Sequence, residues 1–478
     1  MSNDGRFYEL LDREQERLFY PSLRRAVAGE ADVLALDGAV EQLDTCALEA
    51  RYRRVGHPAY PPKVILKVLI YGYSIGLRSS RDLERSCRMD AAFQFLAHGL
   101  EPDHATLCRF RRQHPEQLKE LFVQTVRLCR QAGLVQLGHV AVDGTKMRAN
   151  RSTRELRRAT EAVEQAILEA EEADADIPAE DEECRLMKTQ DGIKPAYNAQ
   201  VAVDSAHQVI VAQELVAAET DYGQLPEMVE QVKENCHAPP QAVSADGGYL
   251  SRDSLEHLDN QGIATYLPVR EREAEKFEWV EEKQAFRCPA GRLLTAHRVR
   301  EGRQIYRTHR CRGCPLAKDC GVRGRFKEVS VPLSETGLGK LAQRMSTPEG
   351  QAIYAQRKRI VEPVFGCFKH NRGFWRFLLR GRRRAGGELS LMCIAHNLGK
   401  WTRAAWLASD EAGLRVSSLR EPRLSGRPCW QRAHQVFHRL LVLGAQASSL
   451  RGRLVALRRP LSHPPIWYPN LAICSCRK

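Results

Sequence analysis

Residues 139–149 read HVAVDGTKMRA, a short β-branched run that ends in Asp143 and is followed by a glycine and a basic residue. The pattern predicts a strand delivering Asp143 at its end, with a turn at Gly144. Residues 241–250, QAVSADGGYL, repeat the arrangement with Asp246. Between them, YNAQVAVDSAHQVIVAQELV (197–216) predicts two strands joined by a turn at Asp204 and Ser205, and LPEMVEQVKENC (225–236) an amphipathic helix. Strand with Asp, hairpin, helix, strand with Asp is the order of an α/β domain with a mixed sheet.

Outward from this segment the character changes on both sides. Residues 1–137 read as helices throughout. PPKVILKVLIYGYSIG (61–76) opens on prolines suited to a helix start, Ser79 is a candidate N-cap, and Asp103 caps a helix bearing Arg109, Arg111 and Arg112. Short helices ending in an Arg-rich one suit a helical DNA-binding domain, with those three arginines as candidate contacts. On the other side, residues 277–331 form a Cys-rich insert that interrupts the α/β pattern. Residues 332–404 resume it with a basic helical run. Residues 405–478 are Arg-, Pro- and Ser-rich, and beyond Leu414 carry one acidic residue, Glu421. They read as a basic, poorly ordered extension.

A chain of 478 residues exceeds one ordinary core, so two or three domains are expected. Basic residues exceed acidic ones by 14, a surplus that favours a polyanionic partner through counterion release. No apolar run is long enough to span a bilayer, and the charged N-terminus lacks a signal peptide's apolar core. A cytoplasmic, nucleoid-associated protein is therefore expected. Its 15 cysteines then read as thiols or metal ligands, not disulfides.

Phosphodiester chemistry without a covalent intermediate needs an activated oxygen nucleophile and charge compensation at phosphorus. Two Mg²⁺ (or Mn²⁺) ions held by a few carboxylates supply both. Asp143 and Asp246 are the strand-end candidates. Asp204 also ends a run, but a hairpin turn accounts for it, and Asp221 falls in a loop ahead of a helix. The third carboxylate is Glu362, in YAQRKRIVEPVFGCFK (354–369). Pro363 follows it, which predicts a kink or a new helical start there. In the insert, Cys288, Cys311, Cys314 and Cys320 give four thiols at spacings that suit structural Zn²⁺, with His309 as a spare ligand.

Taken together, VAVDGTKMRA, SADGGY, YAQRKRIVEPVFGCFK and CIAHNLGKW resemble the DDE transposases of bacterial insertion sequences, over about residues 60–401. The resemblance implies an RNase H-like core in which Asp143, Asp246 and Glu362 bind two metal ions. It also implies a Tyr, Arg, Glu, Lys signature on the last catalytic helix, which maps onto Tyr354, Arg357, Glu362 and Lys369. The family pattern leaves three residues between Arg and Glu, whereas Arg357 leaves four and Lys358 three, so either base fits. The family's comparable cysteine insert supports the location of Cys288 to Cys320. The activity implied is strand cleavage and transfer on double-stranded transposon ends and target DNA, by a homodimer or larger assembly. A nuclease of the same core without strand transfer, and an inactive DNA-binding derivative, are the alternatives these residues leave.

Overall fold

The structure, a computed structural model, describes residues 22–52, 58–158, 184–269, 277–300, 302–309, 311–317, 319–320, 322 and 326–411, with Asp12 and Gln15. Most of the acidic linker (159–183) and of the C-terminal extension (412–478) lie outside them. Residues 405–411 continue a helix, so the extension begins later than residue 405.

The N-terminal region is helical as its periodicity predicts: α1 (Leu23–Ala26), α2 (Ala31–Glu41), α3 (Cys46–Glu49), α4 (Pro62–Ser74), α5 (Ser80–Met89), α6 (Ala91–Leu96), α7 (His104–Gln113) and α8 (Pro115–Gln131). Local caps set its boundaries. Asp103 accepts from the Thr106 amide at 2.7 Å, and Ser79 caps α5. α4 is buried along most of its length, including Lys67, whose ammonium is neutralised by Asp37 and Glu41.

Then follow β1 (His139–Arg148), β2 (Arg185–Thr189), β3 (Gly192–Asp204), β4 (Ile210–Val216), α9 (Leu225–Cys236), β5 (Ala242–Ser244), α10 (Arg252–Asn260) and β6 (Ala264–Tyr266). They build a six-stranded mixed sheet in which β4, β3, β1, β5 and β6 lie side by side and β2 extends β3. β1 pairs antiparallel with β3, and β3 with β4, whereas β1–β5 and β5–β6 are parallel.

A second sheet of five strands occupies the Cys-rich region: β7 (Glu278–Val280), β8 (Ala285–Arg287), β9 (Leu293–Arg300), β10 (Arg303–Thr308) and β11 (Lys327–Pro332). It is an antiparallel meander around Phe277, Phe286, Leu294 and Val329. The chain returns through α11 (Gly337–Ser346), α12 (Pro348–Gly366), a π-helical turn at Cys367–Asn371 and α13 (Arg382–Glu411).

α13 locks the helical region to the large sheet. Asn397 exchanges two hydrogen bonds with the backbone of Ile210 on edge strand β4, at 3.0 and 2.9 Å, so a side chain satisfies the sheet's open edge. The buried Glu388 accepts from Tyr73 of α4 at 3.2 Å and from the Leu378 amide at 2.7 Å. Among the described residues no helix is long and apolar enough to cross a membrane.

Two local expectations are corrected. β1 does not end at Asp143: it continues through Gly144 to Arg148, because β3 pairs with it as far as Arg148. α12 neither stops nor restarts at Pro363, which lies inside the helix. Proline has no amide hydrogen for the carbonyl four residues back, that of Arg359. The Gln208 side chain supplies it instead, donating to the Arg359 oxygen at 3.0 Å.

Candidate active site

Register brings the two aspartates together. Ala141 of β1 pairs with Ser244, the last residue of β5, which brings Asp143 within β1 and Asp246, two residues past the end of β5, near enough for their charges to interact. Asp143 is held twice: its Oδ1 accepts from its neighbour Gly144's amide at 3.0 Å, and its Oδ2 from Arg357 Nη1 at 2.8 Å. Asp246 caps the 3₁₀ turn Gly247–Tyr249, accepting from the Gly248 amide at 2.6 Å.

Burial pushes the Asp143 carboxyl above its ordinary pKa, with the Asp246 charge adding to the rise while Arg357 and the Gly144 amide oppose it. Arg357 is half-buried, and desolvation works against its charge. Asp143, Tyr354 and Asp246 together more than offset that, so its pKa is raised. The arginine thus acts as counter-ion to a carboxylate that the fold holds at a cost.

The sequence placed Asp221 in a loop and gave it no role. It does lie in the loop ahead of α9, but it enters this site. Its Oδ1 accepts from Asn198 at 2.6 Å and from Gln200 at 2.7 Å, which stand on β3 opposite Lys146 and Gly144, and Lys146 Nζ lies 4.0 Å away. Gly144 and Gly248 permit this crowding. A Cβ on Gly144 would sit 2.7 Å from Asp221 Oδ1, and one on Gly248 would sit 2.9 Å from Asp246 Oδ1. The signal available in the sequence was Asn198 and Gln200, two amides on a buried strand that demand partners.

α12 and the turn after it supply the basic groups. Arg357, not Lys358, meets Asp143. Lys358 is exposed, which resolves the spacing in favour of the longer gap: one residue's 100° rotation separates the two faces. Tyr354 is half-buried, with Arg357 6.0 Å from its ring centroid. Lys369 Nζ donates to Thr145 Oγ1 at 2.6 Å and lies 5.6 Å from the Trp375 ring centroid; burial lowers its pKa. Glu362 is exposed on α12. Among the described residues no three His, Cys, Asp or Glu are drawn together as a metal site.

Asp204 has the turn role expected of it, accepting from the amides of Leu137 and Ala206 at 2.8 and 2.9 Å. Arg111 corrects the reading of α7. It is buried, and its guanidinium bonds Tyr73, the Arg78 carbonyl and Ser80, so it serves the core and offers DNA nothing. Arg109 and Arg112 are exposed. In the second sheet, Cys288, Cys311, Cys314 and Cys320 all line one cavity of about 20 Å³.

Two family models match the chain: one described as a transposase DDE domain over residues 287–402, the other as a transposase domain (DUF772) over residues 26–113. The DDE domain makes this a nucleotidyl-transfer enzyme, and with the second domain the chain is a DNA transposase of the DDE type. Among solved structures, a cryo-EM piggyBac transposase synaptic complex with hairpin DNA aligns at 14% identity over 90% of this chain and 84% of that one, with a TM-score of 0.34. At that score the likeness carries no residue-level correspondence. None of the curated proteins compared matches the chain.

Proposed function

We propose that the large sheet is an RNase H-like core on which Asp143, Asp246 and Glu362 catalyse strand cleavage and strand transfer of an insertion sequence. The observation that carries this is Asp143 on β1 beside Asp246, just past the end of the parallel strand β5, with Arg357 on Asp143. Three antiparallel strands followed by two parallel ones support the core assignment.

The carboxylates suit a hard divalent ion: oxygen donors only, with Asp143 under a charge repulsion from Asp246 that a cation relieves. Bound Mg²⁺ or Mn²⁺ would activate the attacking oxygen and neutralise charge on the scissile phosphate. Arg357 orients Asp143. Lys369, anchored on Thr145, and Tyr354 hold the transposon-end backbone beside it, with Lys358, Arg109 and Arg112 making further phosphate contacts. In the first step water attacks phosphorus and frees a 3′-hydroxyl. In the second that hydroxyl attacks a target phosphodiester, whose own 3′-oxygen leaves as the target strand's new 3′-hydroxyl. Two ends acting together require at least a dimer, working on the chromosome in the cytoplasm.

The four cysteines suit structural Zn²⁺. Their thiols face one cavity, and the Arg292 amide donates to Cys288 Sγ at 3.3 Å, as a ligand thiolate requires. Zinc bound there would tie the β8–β9 connection to the β10–β11 connection.

The test is cleavage and joining of DNA bearing the element's own ends with Mg²⁺, comparing wild type with Asp143→Ala, Asp246→Ala and Glu362→Ala. Wild-type activity lost in all three, with DNA binding retained, is the expected outcome. Cleavage without joining would favour the nuclease, and binding without metal-dependent chemistry the inactive derivative.

A further inference from the structure

A cavity of about 560 Å³ opens on the side of α12 turned away from Asp143. Arg359 is two residues from Arg357, about 200° around the helix. Its side chain therefore lines this cavity while Arg357 faces the carboxylates. α13 contributes Lys400 and Arg403, and the turn between β3 and β4 contributes His207 and Gln208.

No Asp or Glu lines the cavity. Among the described residues Arg359 and Arg403 are exposed and form no ion pair, and Lys400 is half-buried with its ammonium on Gln208 Oε1 at 3.1 Å. Burial, and then the neighbouring Arg403 charge, hold the Lys400 pKa below its ordinary value. Among the described residues three cations face one space that no carboxylate lines, so an anion is the ligand that lowers their energy.

The lining also narrows the anion. It contains no Phe, Tyr or Trp on which a base could stack, and its apolar residues are small or aliphatic. That suits a phosphate backbone more than a nucleotide. The chain's own last segment is a poor occupant, because beyond residue 414 its single acidic residue is Glu421 among many arginines.

We infer that this cavity, built from Arg359, Lys400, Arg403 and His207, is a second DNA-phosphate site. It holds duplex on the far side of α12, separate from the strand ends at the carboxylates. The inference rests on the transposase reading and adds a docking point to it.

The test uses the full chain without divalent ions and measures fluorescence anisotropy of labelled duplex across a salt series. The double variant Arg359→Gln/Arg403→Gln is expected to bind about tenfold more weakly at 0.15 M salt, with the log–log salt slope reduced by about two. Arg403→Gln alone, which disturbs one exposed side chain, should lower the slope by about one. Mg²⁺-dependent cleavage by wild type is assayed in parallel. If wild type binds and cleaves while the variants keep its affinity and slope, the cavity assignment falls and the transposase reading stands. If wild type neither binds nor cleaves, both fall. If inorganic phosphate binds wild type and not the double variant while DNA binding is unchanged, the cavity serves a free anion and the inference is overturned.

Discussion

The two halves of the candidate site are built to different standards. On the sheet side, Asp143, Asp246 and Asp221 each have fixed hydrogen-bond partners, and two glycines make room for them. On the helix side, Glu362 is exposed and is followed by a proline whose missing hydrogen bond is repaired from a distant turn. Pairing fixes strand carboxylates before any ligand arrives. A helix carboxylate depends on how its helix is seated, and here Ile360, Val361 and Val364 pack the helix while Gln208 completes its hydrogen bonding at the proline.

The largest expected effect separates the halves directly. Loss of Asp143 or Asp246 to alanine should reduce strand cleavage by more than about 100-fold, since even outer partners of a metal site cost 10- to 100-fold. Glu362→Ala should do the same in a single-turnover assay. If Glu362→Ala instead cleaves normally and Asp221→Asn does not, the site closes on the sheet alone and the helix half is only a DNA contact.

A smaller effect probes the repaired helix. Pro363→Ala restores an interior hydrogen bond and should stabilise the protein by up to about 3 kcal/mol. Gln208→Ala leaves the Arg359 carbonyl without its donor and should cost about 1 kcal/mol. In the Pro363→Ala background that cost should shrink, because the backbone amide restored at position 363 then serves the carbonyl. Denaturant titration of the four proteins of this cycle reads the coupling, and full additivity would mean that Gln208 does not compensate for the proline.

The third effect sharpens the contrast between the catalytic sheet and the small one. Zinc content of the purified protein should fall from about one per chain to near zero in Cys314→Ser, with stability lost only in the small sheet. Unchanged zinc content, or none in wild type, would make the four thiols packing residues.

The smallest effect is electrostatic. Because the Asp143 pKa is raised in the fold above its ordinary 3.8, folding is favoured while it is protonated. That contribution is complete below about 3.8 and is lost as pH rises through the folded value. Asp143→Asn should therefore melt at a higher temperature than wild type at pH 7, with the gap closing as pH falls toward 3.8. A variant less stable than wild type at pH 7 would show that the Arg357 pair outweighs burial.

Much of this was legible along the chain. β1 and β5 announced themselves by β-branched runs ending at Asp143 and Asp246, and α5 and α7 by their caps at Ser79 and Asp103. Local pattern suffices there because a strand's face and a helix's first turn are decided by neighbours in sequence. The small sheet was illegible: β9 is exposed over most of its length and shows no alternation to read. Arg111 misled because an arginine beside two others looks like surface, and its partners Tyr73 and Ser80 are more than 30 residues away. Asp221 was missed for the same reason, its partners Asn198 and Gln200 lying on another element.

The sequence by itself determined which apolar runs became β1 and β5, where the helices of the first domain began, and the basic surplus that suits a polyanion. Tertiary structure decided which of two adjacent bases faces Asp143, which of three arginines is core, and which loop aspartate joins the site. Those choices turn on rotation about a helix and on burial against distant partners, and both are set only when the elements pack.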